Sequence, residues 1–124
     1  MTPSTITTAD LSNLTGDSLK AATRIVERIA SIEPDLNLEH VGFRSGEEWR
    51  NQGEQYGEAA VLVLIHEGAP EFAKYFSYDT CYEVSNPKRR DEAYRACDEM
   101  AEHLREGGFL PEQMYRWATS VHPA

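Results

Sequence analysis

The alternation of apolar and polar positions divides the chain into three parts. Leu19, Ala22, Ile25, Val26, Ile29 and Ile32 recur at a spacing of three and four, and Lys20, Arg24, Glu27, Arg28 and Ser31 occupy the opposite side. That period predicts an amphipathic, core-facing helix from about Asp17 to Ile32. Thr15-Gly16-Asp17 supplies a break and an N-cap before it, and Pro34 stops it. A short helical turn is expected around Thr8 to Leu14.

The middle reads as strands. Leu36, Leu38, Val41 and Phe43 suggest one strand with a slip near His40. Ala59 to Ile65 is almost continuously apolar and rich in branched residues, as expected of a strand covered on both faces or at a sheet centre. After the turn residues Gly68-Ala69-Pro70, the stretch from Phe72 to Tyr78 alternates Phe72, Lys74, Phe76 and Tyr78 against Ala73, Tyr75 and Ser77. That pattern predicts a hairpin with the preceding strand. Between the first two strands, Arg44 to Gly57 reads as a long polar loop with Gly46, Gly53 and Gly57.

The last third reads as two helices. Asn86-Pro87 is an N-cap and first-position pair, Ala93, Ala96, Cys97, Met100 and Leu104 form a stripe, and Gly107-Gly108 ends it. Asp91 is an alternative start. A final helix from Pro111 to about Ser120 would turn Met114, Trp117, Ala118 and Val121 inward. The expected fold is therefore α+β in one domain over residues 1–124. It has a small antiparallel sheet of about three strands, packed against an N-terminal helix and two C-terminal helices.

Composition narrows the function classes. Among 124 residues, 21 acids face 12 bases, a net charge of −9. Direct nucleic-acid binding is disfavoured, because phosphate recognition needs a basic footprint. Met1 to Thr8 carries neither a basic nor an apolar signal segment, and no apolar run approaches a membrane span. Cys81 and Cys97 lie 16 positions apart, outside any CxxC. They are expected to be reduced thiols in a cytoplasmic protein.

The charge is uneven. Residues 25–87 hold four bases and twelve acids, net −8, whereas residues 1–24 are neutral and 88–124 carry −1. The acids concentrate at Glu47, Glu48, Glu54 and Glu58, preceded by Asp35 and Glu39, with Trp49 and Tyr56 among them. Carboxylates around two aromatics suit an interface with a basic partner, the aromatics supplying rigid area. The other reading is a solvated, solubilising surface with Trp49 and Tyr56 lidding the core. Lys88-Arg89-Arg90 is the one basic run. It would oppose the macrodipole of a helix beginning at Pro87, unless Glu83, Asp91 or an acidic site elsewhere answers it.

Catalytic and metal-binding motifs are not apparent. His66-Glu67 ends the expected buried strand, where catalytic groups often lie, but no HExxH or nucleophile motif accompanies it. Glu99, Glu102 and Glu106 share a helix side near His103, a spacing that suits either a divalent ion or a solvated face. No phosphate-binding glycine motif occurs. No cofactor and no metal ligand set is therefore assigned.

In size and charge, over its whole length, the chain resembles the small acidic proteins of phages and mobile elements, among them the anti-CRISPR inhibitors. That resemblance implies a non-enzymatic DNA mimic in the host cytoplasm. It would act as a stoichiometric inhibitor of a nucleic-acid-handling assembly such as a CRISPR effector complex, offering carboxylates to a basic groove. The chain also looks like the acidic chaperones of bacterial secretion systems, which implies a protein-interaction module. A small enzyme using His66 and Glu67 is the third expectation.

Overall fold

A computed structural model describes residues 9–53, 59–77 and 86–124. Helix α1 spans Gly16–Ile32, β1 Gly42–Ser45, α2 Gly46–Asn51, β2 Leu62–Ile65, α3 Pro70–Ala73, α4 Pro87–Glu106, β3 Phe109–Tyr115 and β4 Ala118–Pro123. The four strands form one antiparallel sheet in the order β1-β2-β4-β3.

Helix α1 forms as its periodicity dictates. Ser18 accepts a hydrogen bond from the Thr15 N–H at 3.2 Å, which fixes the entry. Ala21, Ala22, Ile25, Val26 and Ile29 are buried, whereas Leu19 and Ile32, at the stripe's margins, are exposed. The helix packs on the sheet and on α4. Beneath it lie Phe43, Leu62, Leu64 and Val121 from three adjacent strands, with Phe72, Met100, Leu104 and Phe109 closing the core. Strand β2 is central, as its apolar run requires, and Leu62, Val63 and Leu64 are fully buried.

Three expectations are corrected. The stretch after Gly68 is not a strand. Pro70 occupies the first turn of α3, and the chain turns on so that Phe72, Tyr75 and Phe76 all reach the core. Phe72 and Phe76 meet with ring centroids 5.1 Å apart, the i,i+4 contact of a helical turn. Tyr78 lies outside the described residues. The segment that follows β2 is therefore not its hairpin partner. β2 pairs with β1 on one side and with β4, across α3 and α4, on the other.

Nor is the C-terminus a helix. Gly108, at φ +90°, reverses the chain after α4, and Phe109–Pro123 forms the β3–β4 hairpin. Ala118, Thr119, Ser120 and Val121 are all buried, so both faces of β4 are covered. So short a run, buried on both faces, fits either period. Pro111 is tolerated because β3 is an edge strand. Among the described residues the sheet thus has four strands, and α4 is the one long helix that follows β2.

The third correction is within Arg44 to Gly57. Ser45 caps a six-residue helix, its hydroxyl accepting from the Glu48 N–H at 3.0 Å. Around His40 the chain makes a turn, with Val41 N–H donating to the Leu38 carbonyl at 3.1 Å, and β1 begins only after it. Helix α4 starts at Pro87, where Asn86 accepts from the Lys88 and Arg89 N–H groups, not at Asp91.

Candidate functional site

The expected acidic patch comes apart and reassembles with different members. Glu54, Tyr56 and Glu58 lie outside the described residues. Trp49 is 2% exposed. It leaves the solvent side of α2 and packs on Ala60 and Val63, on the sheet face opposite α1. Trp49 is thus a core residue, not an interface aromatic: helical geometry turns it inward four positions after the cap. Glu48 is half-buried and pairs with Arg44 at 3.7 Å. Glu47 and Glu48 both sit in the first turn of α2, where carboxylates complement the helix dipole. Part of this acidity therefore has a local structural cause.

Asp35, Glu39 and Glu47 are exposed. Glu39 lines a cleft of about 280 Å³ together with Asp10, Asn13 and Arg44. Glu47 lines a second, of about 330 Å³, with Asn13, Asp17 and Arg50. The two clefts meet at Asn13. Asp35 lines neither. Asp10 and Asp17 were hidden from the sequence count, because the N-terminal segment is neutral overall and they lie far from Glu39 and Glu47 along the chain. The Asp10 carboxylate accepts from the hydroxyl and N–H of Ser12, and these bonds hold its pKa below the usual carboxylate range. Four carboxylates thus surround the joined clefts. Of the two arginines between them, Arg44 is paired with Glu48.

The basic groups elsewhere are largely engaged. Arg24 donates to the His103 carbonyl at 2.7 Å, and His103 Nε2 lies 3.1 Å from the Arg24 carbonyl oxygen. Arg28 meets Glu99 at 3.3 Å, and Arg105 meets Glu102 at 2.9 Å. The Arg24 and Arg28 contacts tie α1 to α4, and Glu99 and Glu102 on α4 are both paired. Arg89, in the first turn of α4, lines a cleft with Glu33, Glu71 and Glu92, acids that answer the basic run. Lys74 joins Glu33 at 2.6 Å, and the Tyr75 hydroxyl donates to the same carboxylate. Burial acts to raise the Glu33 pKa, but the bonds from Lys74 and Tyr75 bring it below the usual value. Cys97 is a buried cysteine on α4, and Cys81 lies outside the described residues.

His66 is placed differently from a surface histidine. It is 2% exposed, directly after β2. Its N–H donates to the Trp117 carbonyl at 2.9 Å, tying it to the β3–β4 turn. Its Nε2 lies 3.0 Å from Thr119 Oγ1, while Nδ1 is buried with no partner among the described residues. Burial pushes its pKa down to about 4. Glu67 is exposed beside it. The one hydroxyl in contact with His66 among the described residues, that of Thr119, is itself fully buried, so no accessible nucleophile completes an acid–base constellation here.

That burial has a pH consequence. In the unfolded chain His66 titrates near 6.5, and in the folded chain near 4. The unfolded state therefore binds more protons in between. The stability contributed by burying the neutral ring is fully present above about pH 6.5 and is lost as pH falls towards 4. We expect the unfolding free energy to fall by on the order of 2–3 kcal/mol across that window. His66→Phe should flatten this dependence, as read by denaturant melts at several pH values. An unchanged slope would place the acid sensitivity elsewhere.

A Ser–His–Glu grouping invisible in the sequence lies on the β3–β4 hairpin. Ser120 Oγ is 2.8 Å from His122 Nε2, and Glu112 is 3.6 Å from that same nitrogen. A catalytic triad needs the carboxylate on the other ring nitrogen and an accessible hydroxyl. Ser120 is fully buried. The grouping is a structural hydrogen-bond set.

No protein-family model matches the chain, and neither a curated protein nor a solved structure matches it significantly. Among the described residues, no helix is long and apolar enough to cross a membrane.

Proposed function

We propose that the protein is a non-enzymatic acidic binding domain that presents carboxylates to a basic groove of a protein partner. In this reading it acts in the cytoplasm as a stoichiometric inhibitor of a nucleic-acid-handling assembly. One observation carries it: Asp10, Asp17, Glu39 and Glu47, from four separate points in the chain, gather around two clefts that join at Asn13. Carboxylates spaced over a concave surface can occupy positions that a basic groove offers to phosphates. Long-range attraction then speeds encounter and weakens with salt. On α4, Glu99 and Glu102 are engaged by Arg28 and Arg105.

The experiment is charge reversal at two exposed positions outside the packed core. Glu39→Lys with Glu47→Lys should retain the native melting temperature within a few degrees. It should slow association with a ribonucleoprotein complex captured on the immobilised wild-type chain by about tenfold or more. Capture should weaken between about 50 and 300 mM salt, a range that shortens screening from roughly 14 to 6 Å. Duplex DNA should compete for the same complex, and the isolated chain should not bind DNA. If the reversed protein associates as fast as the native one and salt has no effect, the acidic face only solubilises.

A further inference from the structure

We infer that His66 is an acid-operated latch: protonation of its ring releases the β3–β4 turn from the end of β2 while the inner part of the sheet stays paired. The inference rests on the packing around His66. It involves no residue of the acidic clefts and does not depend on the reading above.

His66 joins elements that are remote in sequence. Its N–H bond to the Trp117 carbonyl lies one step beyond the Ile65–Ala118 pair that ends the β2–β4 ladder. Its ring reaches Thr119 on β4 and sits beside Phe72 of α3, the ring centroids 6.4 Å apart. One buried side chain thus holds the strand end, the hairpin turn and the short helix together.

A neutral ring fits this place, because the Thr119 hydroxyl can donate to or accept from Nε2. An imidazolium does not fit. It carries a hydrogen on both nitrogens, and Nδ1 is buried without an acceptor among the described residues. Nor does a countercharge answer the ring in place. Glu67, next in the chain, is exposed, and Arg116 on the hairpin turn is a cation that is already engaged. On α3, Glu71 and Lys74 pair with each other at 3.5 Å, and Lys74 also pairs with Glu33. From β4 come the uncharged Ala118 and Thr119. A buried charge without a partner is costly. The proton is therefore taken up only when the ring swings out to water, where the neighbouring Glu67 favours it. The burial that holds the folded group down to about 4 reflects the same bias.

The release is local because of what lies on either side of the latch. Outward, only Arg116 and Trp117 connect β3 to β4, and both are exposed. Inward, Leu62, Val63 and Leu64 are fully buried and paired with Thr119, Ser120 and Val121. Sub-global openings begin where buried contacts are fewest. The latch is closed above about pH 6.5 and loosens as pH falls towards 4, the direction set by a group that binds its proton more readily when open.

The test is amide hydrogen exchange on the full chain, read by NMR between about pH 7 and 5, comparing protection factors at His66 and Leu64. Protection at His66 should fall by about tenfold or more over that range, while Leu64 changes by less than about twofold. His66→Phe and His66→Gln should each remove the pH dependence at position 66. A general weakening by either variant registers at Leu64 as well, so it is not mistaken for the latch. An equal loss at Leu64 in the native protein would make the opening global and overturn the inference. Constant protection at His66 would do the same. A pH dependence at position 66 that survives in both variants would assign the effect to another group and overturn the role of His66.

Discussion

Trp49→Ala is expected to destabilise the protein by about 3–5 kcal/mol, the range for truncating a fully buried large aromatic. Trp49 is the side chain by which α2 grips the sheet. It contacts Ala60 and Val63, and its ring centroid lies 6.4 Å from that of Trp117. A six-residue helix has no stability of its own, because nucleation costs more than so few hydrogen bonds return. Removing the indole therefore frees α2 as well as opening a cavity. The expected result is a lower denaturant midpoint, with the neighbouring Glu47→Gln within about 0.5 kcal/mol of native as the control. An interface role for Trp49 would give the reverse, a native midpoint and faster dissociation from a partner. A loss below about 1 kcal/mol would mean that α2 is held by something other than this contact.

The same residue shows what the sequence could and could not say. Helix α1, the buried β2 and the body of α4 were legible because each carries a long or strongly apolar pattern, and such patterns survive any tertiary arrangement. Helix α2 was not read, although its signal is present. Ser45-Gly46-Glu47-Glu48 has the cap-and-glutamate spacing of a helix start, masked by glycines that suggested a loop. Pro70 and the Phe72/Phe76 pair likewise mark a helical turn that alternation over seven residues obscured. The β3–β4 hairpin was lost to a real ambiguity. Ala118 to Val121 is covered on both faces, and a doubly covered strand has no alternation to detect.

The candidate surface was legible only in part, for a different reason. Glu39 and Glu47 were identified by local density along the chain. Asp10 and Asp17 join them through the fold, which no charge count along the sequence can reveal. Trp49 and Glu48 share that local density but serve packing and an ion pair. His66 was noticed for its position at a strand end. Its burial depends on the hairpin turn at Trp117, which is remote in sequence.

Gly46→Ala separates the position of the acidic groups from their number. Alanine is the better helix former by about 1 kcal/mol, and the Gly46 backbone has an ordinary negative φ, so local propensity favours the substitution. Space opposes it. A Cβ on Gly46 would lie 1.7 Å from the Ala60 carbonyl oxygen and 2.8 Å from its carbon. That backbone cannot retreat easily: the next residue, Val61, donates to Val121 at 2.8 Å and accepts from Gly46 at 3.1 Å. Helix α2 must move away instead, straining the Trp49 contact. The steric term wins, and a net loss of about 3 kcal/mol or more is expected in denaturant melts. The variant keeps every carboxylate but displaces Glu47 relative to Asp17 and Asn13. Partner association by the folded fraction should therefore fall although the net charge is unchanged. If it is undiminished, overall charge rather than the arrangement of carboxylates drives encounter. A native melting temperature would show that α2 does not sit against Ala60 as described.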